Sequence, residues 1–223
     1  LSFPFRRYQI GKVYRGERAQ RGRFREFYQA DIDVIGDGKL DITNEAEMPA
    51  IIYRAFTELG LKRFCIRVNN RKILNGFYAM QGLTEKSGDI MRTVDKLDKI
   101  GVEGVKAELL EKEEPEAAVN ALCEVLSGGA LSLDKVEEIL PGNEAVLSLK
   151  NILTTATELA AGRYGIRFDL SLVRGQGYYT GTVFEVESNE FRGAIAGGGR
   201  YDNLIGKFTG ENVPAVGFSI GFE

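Results

Sequence analysis

The chain has 223 residues, 43% of them hydrophobic and 27% charged, a composition that excludes a disordered protein and fits a globular one. No apolar run approaches the roughly 20 residues needed to span a bilayer, and Leu1 to Arg7 lacks the layout of a signal peptide. These features point to a cytoplasmic protein without a membrane partner. Histidine is absent, which excludes the commonest general base and metal ligand.

Cys65 and Cys123 stand far apart, form no CxxC pair, and read as free thiols in a reducing compartment. The sequence opens on Leu1, so a piece of a longer chain is expected. The net charge of −3 conceals an asymmetry: residues 1–33 hold eight Arg or Lys against four acids, whereas residues 84–144 are acidic. A basic segment of that kind suits a polyanionic ligand such as nucleotide or RNA phosphate.

Residues 6–15 and 24–35 read as the two strands of a long hairpin, since Ile10, Val13 and Tyr14 are β-formers and residues 16–22 are rich in glycine and charge. Period-two alternation puts Phe27, Gln29, Asp31 and Asp33 on a polar face suited to a site. It puts Tyr28, Ala30, Ile32 and Val34 on a core face. Residues 41–61 predict a helix capped by Asn44, with apolar positions at Met48, Ile51, Ile52, Ala55 and Phe56.

A short strand is predicted at 64–69. Helical periodicity then dominates 71–163, in pieces at 71–80, 88–100, 103–112, 115–126, 132–140 and 145–162, broken at Gly82, Gly101, Gly128-Gly129 and Pro141-Gly142. Strand patterns return at 166–172, 182–188 and 193–196, and 214–223 reads as the start of a further element. Neither β portion has enough strands for a covered sheet of its own, so one sheet interrupted by a helical insertion is expected. The expected divisions are a first core part at 1–75, a helical insertion at 76–158 and a second core part at 159–223.

Three segments carry chemistry. In the hairpin, Tyr14-Arg15-Gly16-Glu17-Arg18 and Arg23-Phe24-Arg25-Glu26-Phe27 combine guanidinium forks that match phosphate oxygens with an aromatic ring on which a base can stack. A solvated, charged hairpin would have the same spacing. Leu172-Val173-Arg174-Gly175-Gln176-Gly177-Tyr178-Tyr179 offers an arginine and paired tyrosines at a strand end, suited to a small planar polar ligand, or else a bulge with core aromatics. Ala196-Gly197-Gly198-Gly199-Arg200-Tyr201-Asp202 reads as a glycine-rich turn that lets a ligand or another strand approach the backbone; no Lys-Ser/Thr follows, so it is not a P-loop.

Taken together, these segments resemble one family. VYRGERAQRGRFREFYQADIDV (Val13–Val34) is similar to motif 2 of class II aminoacyl-tRNA synthetases in its histidyl form. LVRGQGYYTGTVFEV (Leu172–Val186) and AGGGRYDNL (Ala196–Leu204) resemble the two histidine signatures of histidyl-tRNA synthetases, and PAVGFSIGFE (Pro214–Glu223) resembles the start of motif 3. Gln176-Gly177 departs from the Leu-Asp of many relatives.

The resemblance implies an α+β fold, a class II synthetase-like antiparallel sheet of six or seven strands flanked by helices, with a helical insertion subdomain. It implies a histidine–tRNA ligase: ATP-dependent activation of L-histidine to histidyl-adenylate, with Mg2+ accompanying ATP, and transfer to tRNA(His). It also implies roles for matching positions. Arg15 would hold the α-phosphate, Glu17 the adenine amino group and Arg23 the terminal phosphates, with Phe27 stacked under the adenine. Gln29, Asp33 and Gly198 would face the histidine, Gln29 and Asp33 at its ammonium and nearby polar groups, and Tyr178 and Tyr179 would shape the imidazole pocket. Arg174 would be the catalytic arginine, opposite Arg15 and also touching histidine.

No residue is expected to be a metal ligand. Motif 1, which implies a homodimer, the motif 3 arginine and an anticodon-binding domain fall outside these residues, so the resemblance does not by itself make them sufficient for the reaction. A non-catalytic paralogue, a histidine-binding regulatory subunit of ATP phosphoribosyltransferase, is the alternative.

Overall fold

A computed structural model describes residues 1–16, 24–82, 87–127, 131–173, 177–188, 190 and 194–221. Among them, seven strands form one sheet: β1 (Phe5–Tyr14), β2 (Glu26–Ile35), β3 (Phe64–Asn70), β4 (Gly165–Phe168), β5 (Thr182–Ser188), β6 (Ala194–Tyr201) and β7 (Ala215–Gly221). Their spatial order is β1-β2-β7-β6-β5-β3-β4, and every pairing is antiparallel except that of β3 with β4. The helices are α1 (Thr43–Glu58), α2 (Arg71–Met80), α3 (Ser87–Val94), α4 (Leu97–Glu111), α5 (Glu116–Ser127), α6 (Leu133–Ile139), α7 (Glu144–Ala160) and the single turn α8 (Gly206–Thr209). The N- and C-terminal parts therefore share one mixed α+β sheet, as the sequence predicts.

One face of that sheet is covered. Met48, Ile52 and Phe56 form a stripe at helical spacing on α1 and bury against Val34, Val216, Phe218 and Ile220 of the sheet, while α7 adds Val146 and Leu149 to the same core. Burial fades along β2 toward the hairpin tip. Val34 is fully buried, Ala30 and Ile32 are partly so, and Tyr28 is 45% exposed. Tyr28 is thus not the core residue its alternation predicts, because β1 and β2 run on past the helices that cover their other end.

The remaining differences from the sequence reading have local causes. Asn44 does not cap α1. Asp41 Oδ1 accepts from the Thr43 backbone N–H at 2.9 Å, and Asn44 sits buried within the first turn, accepting from Arg6 at 3.3 Å. The helix predicted at 88–100 breaks at 95–96, with Lys96 N–H bonded back to the Thr93 carbonyl. Gly101 (φ 69°) instead kinks the interior of α4, where only glycine adopts a left-handed angle at no steric cost.

The strand predicted at 166–172 ends at Phe168 because Asp169 turns the chain, its carboxylate accepting from the Ser171 N–H at 3.0 Å. The glycine-rich turn predicted at 196–202 is strand β6. A Cβ at Gly198 would overlap the Gly217 carbonyl and the Phe218 Cα of β7, so the glycines serve strand-to-strand approach.

Beneath the segment that begins at Leu172 lies a buried polar anchor. Arg67 of β3 donates to Asp169 at 2.9 Å, Glu185 at 3.0 Å and Ser171 at 3.0 Å. Asn69 donates to the carbonyls of Leu170 and Leu172 at 3.1 and 2.9 Å. Burial works against the Asp169 charge, but the Ser171 bonds and the Arg67 guanidinium outweigh it and hold its carboxyl below the usual range. A carboxylate with a depressed folded pKa stabilises at neutral pH and loses that contribution as pH falls through the folded value, here below the ordinary carboxylate range.

Arg67→Ala removes the guanidinium shared by two largely buried carboxylates, Asp169 and Glu185, and is expected to cost roughly 3 kcal/mol in urea unfolding at pH 7. It should also flatten the acid limb of the stability curve, which an unchanged limb would contradict. Gly198→Ala, opposed by the backbone of β7, is expected to cost about 3 kcal/mol; a denaturation midpoint equal to wild type would show that the strands can part freely.

Candidate functional site

The uncovered face of the sheet carries a cavity of about 370 Å³. Its walls come from distant parts of the chain: Arg7 and Arg15 with β1, Gln29, Asp31 and Asp33 on β2, Tyr178 and Tyr179 before β5, Gly197, Gly198 and Tyr201 on β6, and Gly217 and Ser219 on β7. The register explains the convergence. Asp33 lies opposite Arg7 on one side and Gly217 on the other, and Asp31 lies opposite Ser219. Gln29, Asp31 and Asp33 alternate with Ala30, Ile32 and Val34, so the residues turned from the core reach the cavity.

Asp33 is the most constrained of these side chains. The Tyr201 hydroxyl donates to its Oδ1, and the Arg7 Nε lies 3.4 Å from its Oδ2. A Cβ at Gly217 would collide with the same Oδ1, so glycine makes the room the carboxylate occupies. Burial is the largest influence on Asp33 and pushes its pKa up; the Tyr201 hydrogen bond and Arg7 oppose it, and Asp31 adds to it. Burial and the neighbouring Asp33 push the Tyr201 hydroxyl well above its ordinary value, so it stays a donor.

Tyr178 stacks at an angle on Tyr179 with ring centroids 4.5 Å apart and presents its edge to Tyr201 at 6.1 Å. The chain just after them is tied down. Thr180 N–H bonds the Arg200 carbonyl at 2.8 Å and Thr180 Oγ1 donates to Asp202 at 2.8 Å. Arg200 joins Asp202 at 2.7 Å to the buried Glu45 of α1 at 2.6 Å. Gln29 donates to the Ser219 hydroxyl.

Arg15 closes the described base of the hairpin through its N–H to the Arg25 carbonyl at 2.8 Å. Its guanidinium sits 4.4 Å above the Phe27 ring, a cation–π contact. Phe27 is buried under that contact and does not line the cavity.

Of the residues singled out from sequence, Arg15, Gln29, Asp33, Tyr178, Tyr179 and Gly198 thus line one cavity, with Phe27 against Arg15. Glu17, Arg23 and Arg174 lie outside the described residues. Sequence reading assigned no site role to Arg7, Tyr201 or Gly217. Tyr201 was within reach: with 194–201 taken as a strand, alternation puts it on the face of Gly197 and Gly199. Arg7 and Gly217 needed the pairing register, which no local pattern encodes.

A larger hollow of about 670 Å³ lies at the opposite sheet edge, between Tyr53, Lys62, Arg63, Phe64, Arg163 and Tyr164. It contains none of the expected residues, and Arg163 is committed to the last carbonyls of α7. Among the described residues no cluster of three or more metal-ligating side chains occurs, and no helix is long and apolar enough to cross a membrane.

Comparison with known proteins bears on the family and the fold. A family model described as histidyl-tRNA synthetase matches residues 2–223. The chain is 43% identical over 230 residues to a histidine–tRNA ligase of Clostridium tetani, covering 99% of this chain and 52% of that protein. It is 44% identical to one of Phocaeicola vulgatus, covering 100% and 50%. It spans about half the length of these curated relatives.

The crystal structure of histidyl-tRNA synthetase from Nostoc sp. PCC 7120 superposes with a TM-score of 0.87 at 37% identity, covering 99% of this chain and 53% of that one. A structure from Bacillus halodurans C, described as an ATP phosphoribosyltransferase regulatory subunit/histidyl-tRNA synthetase, gives 0.79 at 26% identity, covering 99% and 57%. With the family's pattern matched from residue 2 to residue 223 and its fold reproduced, this chain belongs to the histidyl-tRNA synthetase family.

Proposed function

We propose that the cavity is the amino-acid end of an active site that activates L-histidine with ATP, and that the protein containing this chain transfers the product to tRNA(His). The observation that carries this reading is the meeting, in one 370 Å³ cavity, of Arg15, Gln29 and Asp33 with Tyr178, Tyr179 and Gly198, residues more than 140 positions apart.

Activation joins a histidine carboxylate oxygen to the α-phosphorus of ATP and expels pyrophosphate. The attacking carboxylate is already ionised, so the step requires no general base and the absence of histidine from the chain costs it nothing. What the step needs is positioning and fixed positive charge where the phosphoryl oxygens gain negative charge. Arg15, on the cavity wall, holds the α-phosphate from one side and Arg174 from the other. Phe27 offers its ring to the adenine, and the Arg15 guanidinium now stacked on that ring turns toward phosphate as nucleotide enters. Glu17 receives the adenine amino group and Arg23 the terminal phosphates.

Gln29 and Asp33 accept from the histidine ammonium and nearby N–H groups, while Tyr178 and Tyr179 border the imidazole, with Gly198 beside it. Mg2+ accompanying ATP would supply charge neutralisation for the departing pyrophosphate, with no residue of the chain assigned as its ligand. In the same reading, residues 76–158 form a helical subdomain inserted in a core made of 1–75 and 159–223. The intact protein is a cytoplasmic homodimer built with motif 1.

The relative from Bacillus halodurans C supports a second reading, a histidine-binding regulatory subunit that has lost catalysis. The retention of Arg15, Glu17 and Arg23 in the sequence favours the enzyme. Histidine-dependent exchange between ATP and labelled pyrophosphate separates the two. The intact protein is expected to exchange; histidine binding without exchange would leave only the regulatory reading. Arg174→Ala should lower the exchange rate by about 100-fold or more, the scale of losing one preorganised charge donor, with the fold retained. A wild-type rate in that variant would remove Arg174 from the mechanism.

A further inference from the structure

We propose that Arg7, on the edge strand β1, is a positioning residue for ligand recognition: with Tyr201 it fixes both oxygens of Asp33, so that one of them stays turned to the cavity to accept an N–H of bound histidine. The inference rests on reading the cavity as a histidine site.

The geometry separates the two oxygens. Oδ1 accepts the Tyr201 hydroxyl and fills the space left by Gly217. Oδ2 stands 3.4 Å from the Arg7 Nε, close enough for charge attraction yet too long for a strong hydrogen bond, so a lone pair remains for a ligand. The far side of the guanidinium is held as well, Arg7 Nη2 donating to the Gln9 side-chain oxygen at 3.0 Å. Asp33 is thus gripped from β1 and β6, against a glycine of β7, and cannot swing away.

Charge acts in the same direction. The groups facing Asp33 are Arg7 from β1, Asp31 from its own strand and Tyr201 from β6. Burial is the strongest influence and favours the protonated acid, which Asp31 reinforces. Arg7 is the positive charge opposing them. A protonated Asp33 would bring a donor to meet a donor. Removing Arg7 leaves burial less opposed, so Asp33 takes up its proton at a higher pH. Histidine affinity should then fall more steeply in the variant than in wild type as pH drops from 8 toward the range in which Asp33 takes up its proton. The ring of the ligand titrates near 6.5 in both cases and cancels in the ratio.

Titration calorimetry with L-histidine on the intact protein, wild type beside R7Q and R7K, tests this. R7Q is expected to bind histidine about tenfold more weakly at pH 8, the scale of one hydrogen bond to a charged group, and weaker still relative to wild type at pH 5. R7K restores the charge and should recover most of the affinity. ATP affinity should be that of wild type and the thermal midpoint close to it, since Arg7 is partly exposed and pairs with Asp33 and Gln9. R7Q affinities within twofold of wild type at both pH values would overturn the inference, and so would equal losses for histidine and ATP, which mark a general disturbance. Wild-type protein that does not bind histidine would overturn the reading of the cavity itself, a result distinct from an indifferent R7Q.

Discussion

The pairing of β2 with β7 is the contact on which the site depends. It sets Gln29 against Gly221, Asp33 against Gly217 and Ile35 against Ala215, joining the hairpin to strands nearly the whole chain away. Without it, Arg15 and Gln29 would lie on one small sheet and Tyr178 and Gly198 on another. The entropy of closing so long a loop grows only with the logarithm of its length, so helices α2 to α7 can stand between the halves at little extra cost in stability. The cost falls on folding rate instead, because sheet contacts of such separation form slowly.

Glycine lets that junction become a site. At Gly217 the missing side chain is replaced by the Asp33 carboxylate, and at Gly198 and Gly199 by the backbone of the neighbouring strands and, for Gly199, the ring of Tyr179. Three strands approach closely where polar side chains must crowd, and the sheet accommodates them by giving up Cβ atoms. The weakness glycine brings to a strand interior is offset by the ladders on both sides of β6 and β7.

The sequence exposed much of this and hid a definable part. Alternation along 27–33 separated Gln29, Asp31 and Asp33 from Ile32 and Val34 because the face of a strand is a local property. The helix at 71–80 was legible to its ends, since Asn70 caps it at Lys72 and Gly82 follows it. What local pattern could not give was register. Arg7 and Gly217 acquire meaning only opposite Asp33, and Tyr28 is exposed only because the covering helices stop short of it. The glycine run at 197–199 misled because freedom to turn and freedom to be approached have the same residue as their signature.

The polarity of the cavity bears on selectivity more than on rate. Aromatic walls such as Tyr178 and Tyr179 favour any flat ring of suitable size, and a mere difference in apolar contact distinguishes ligands poorly. A half-buried carboxylate fixed in place discriminates by another route. If Asp33 accepts from the ligand as proposed, one without an N–H would displace water from it and return nothing, leaving the charge desolvated and unpaired, and sites built to hydrogen-bond a ligand reject analogues lacking the group by factors of about 10⁴. The rigidity of Asp33 is what makes this effective, since a carboxylate free to rotate back to solvent would escape the penalty. Tyr201 and Arg7, one at each oxygen, remove that freedom.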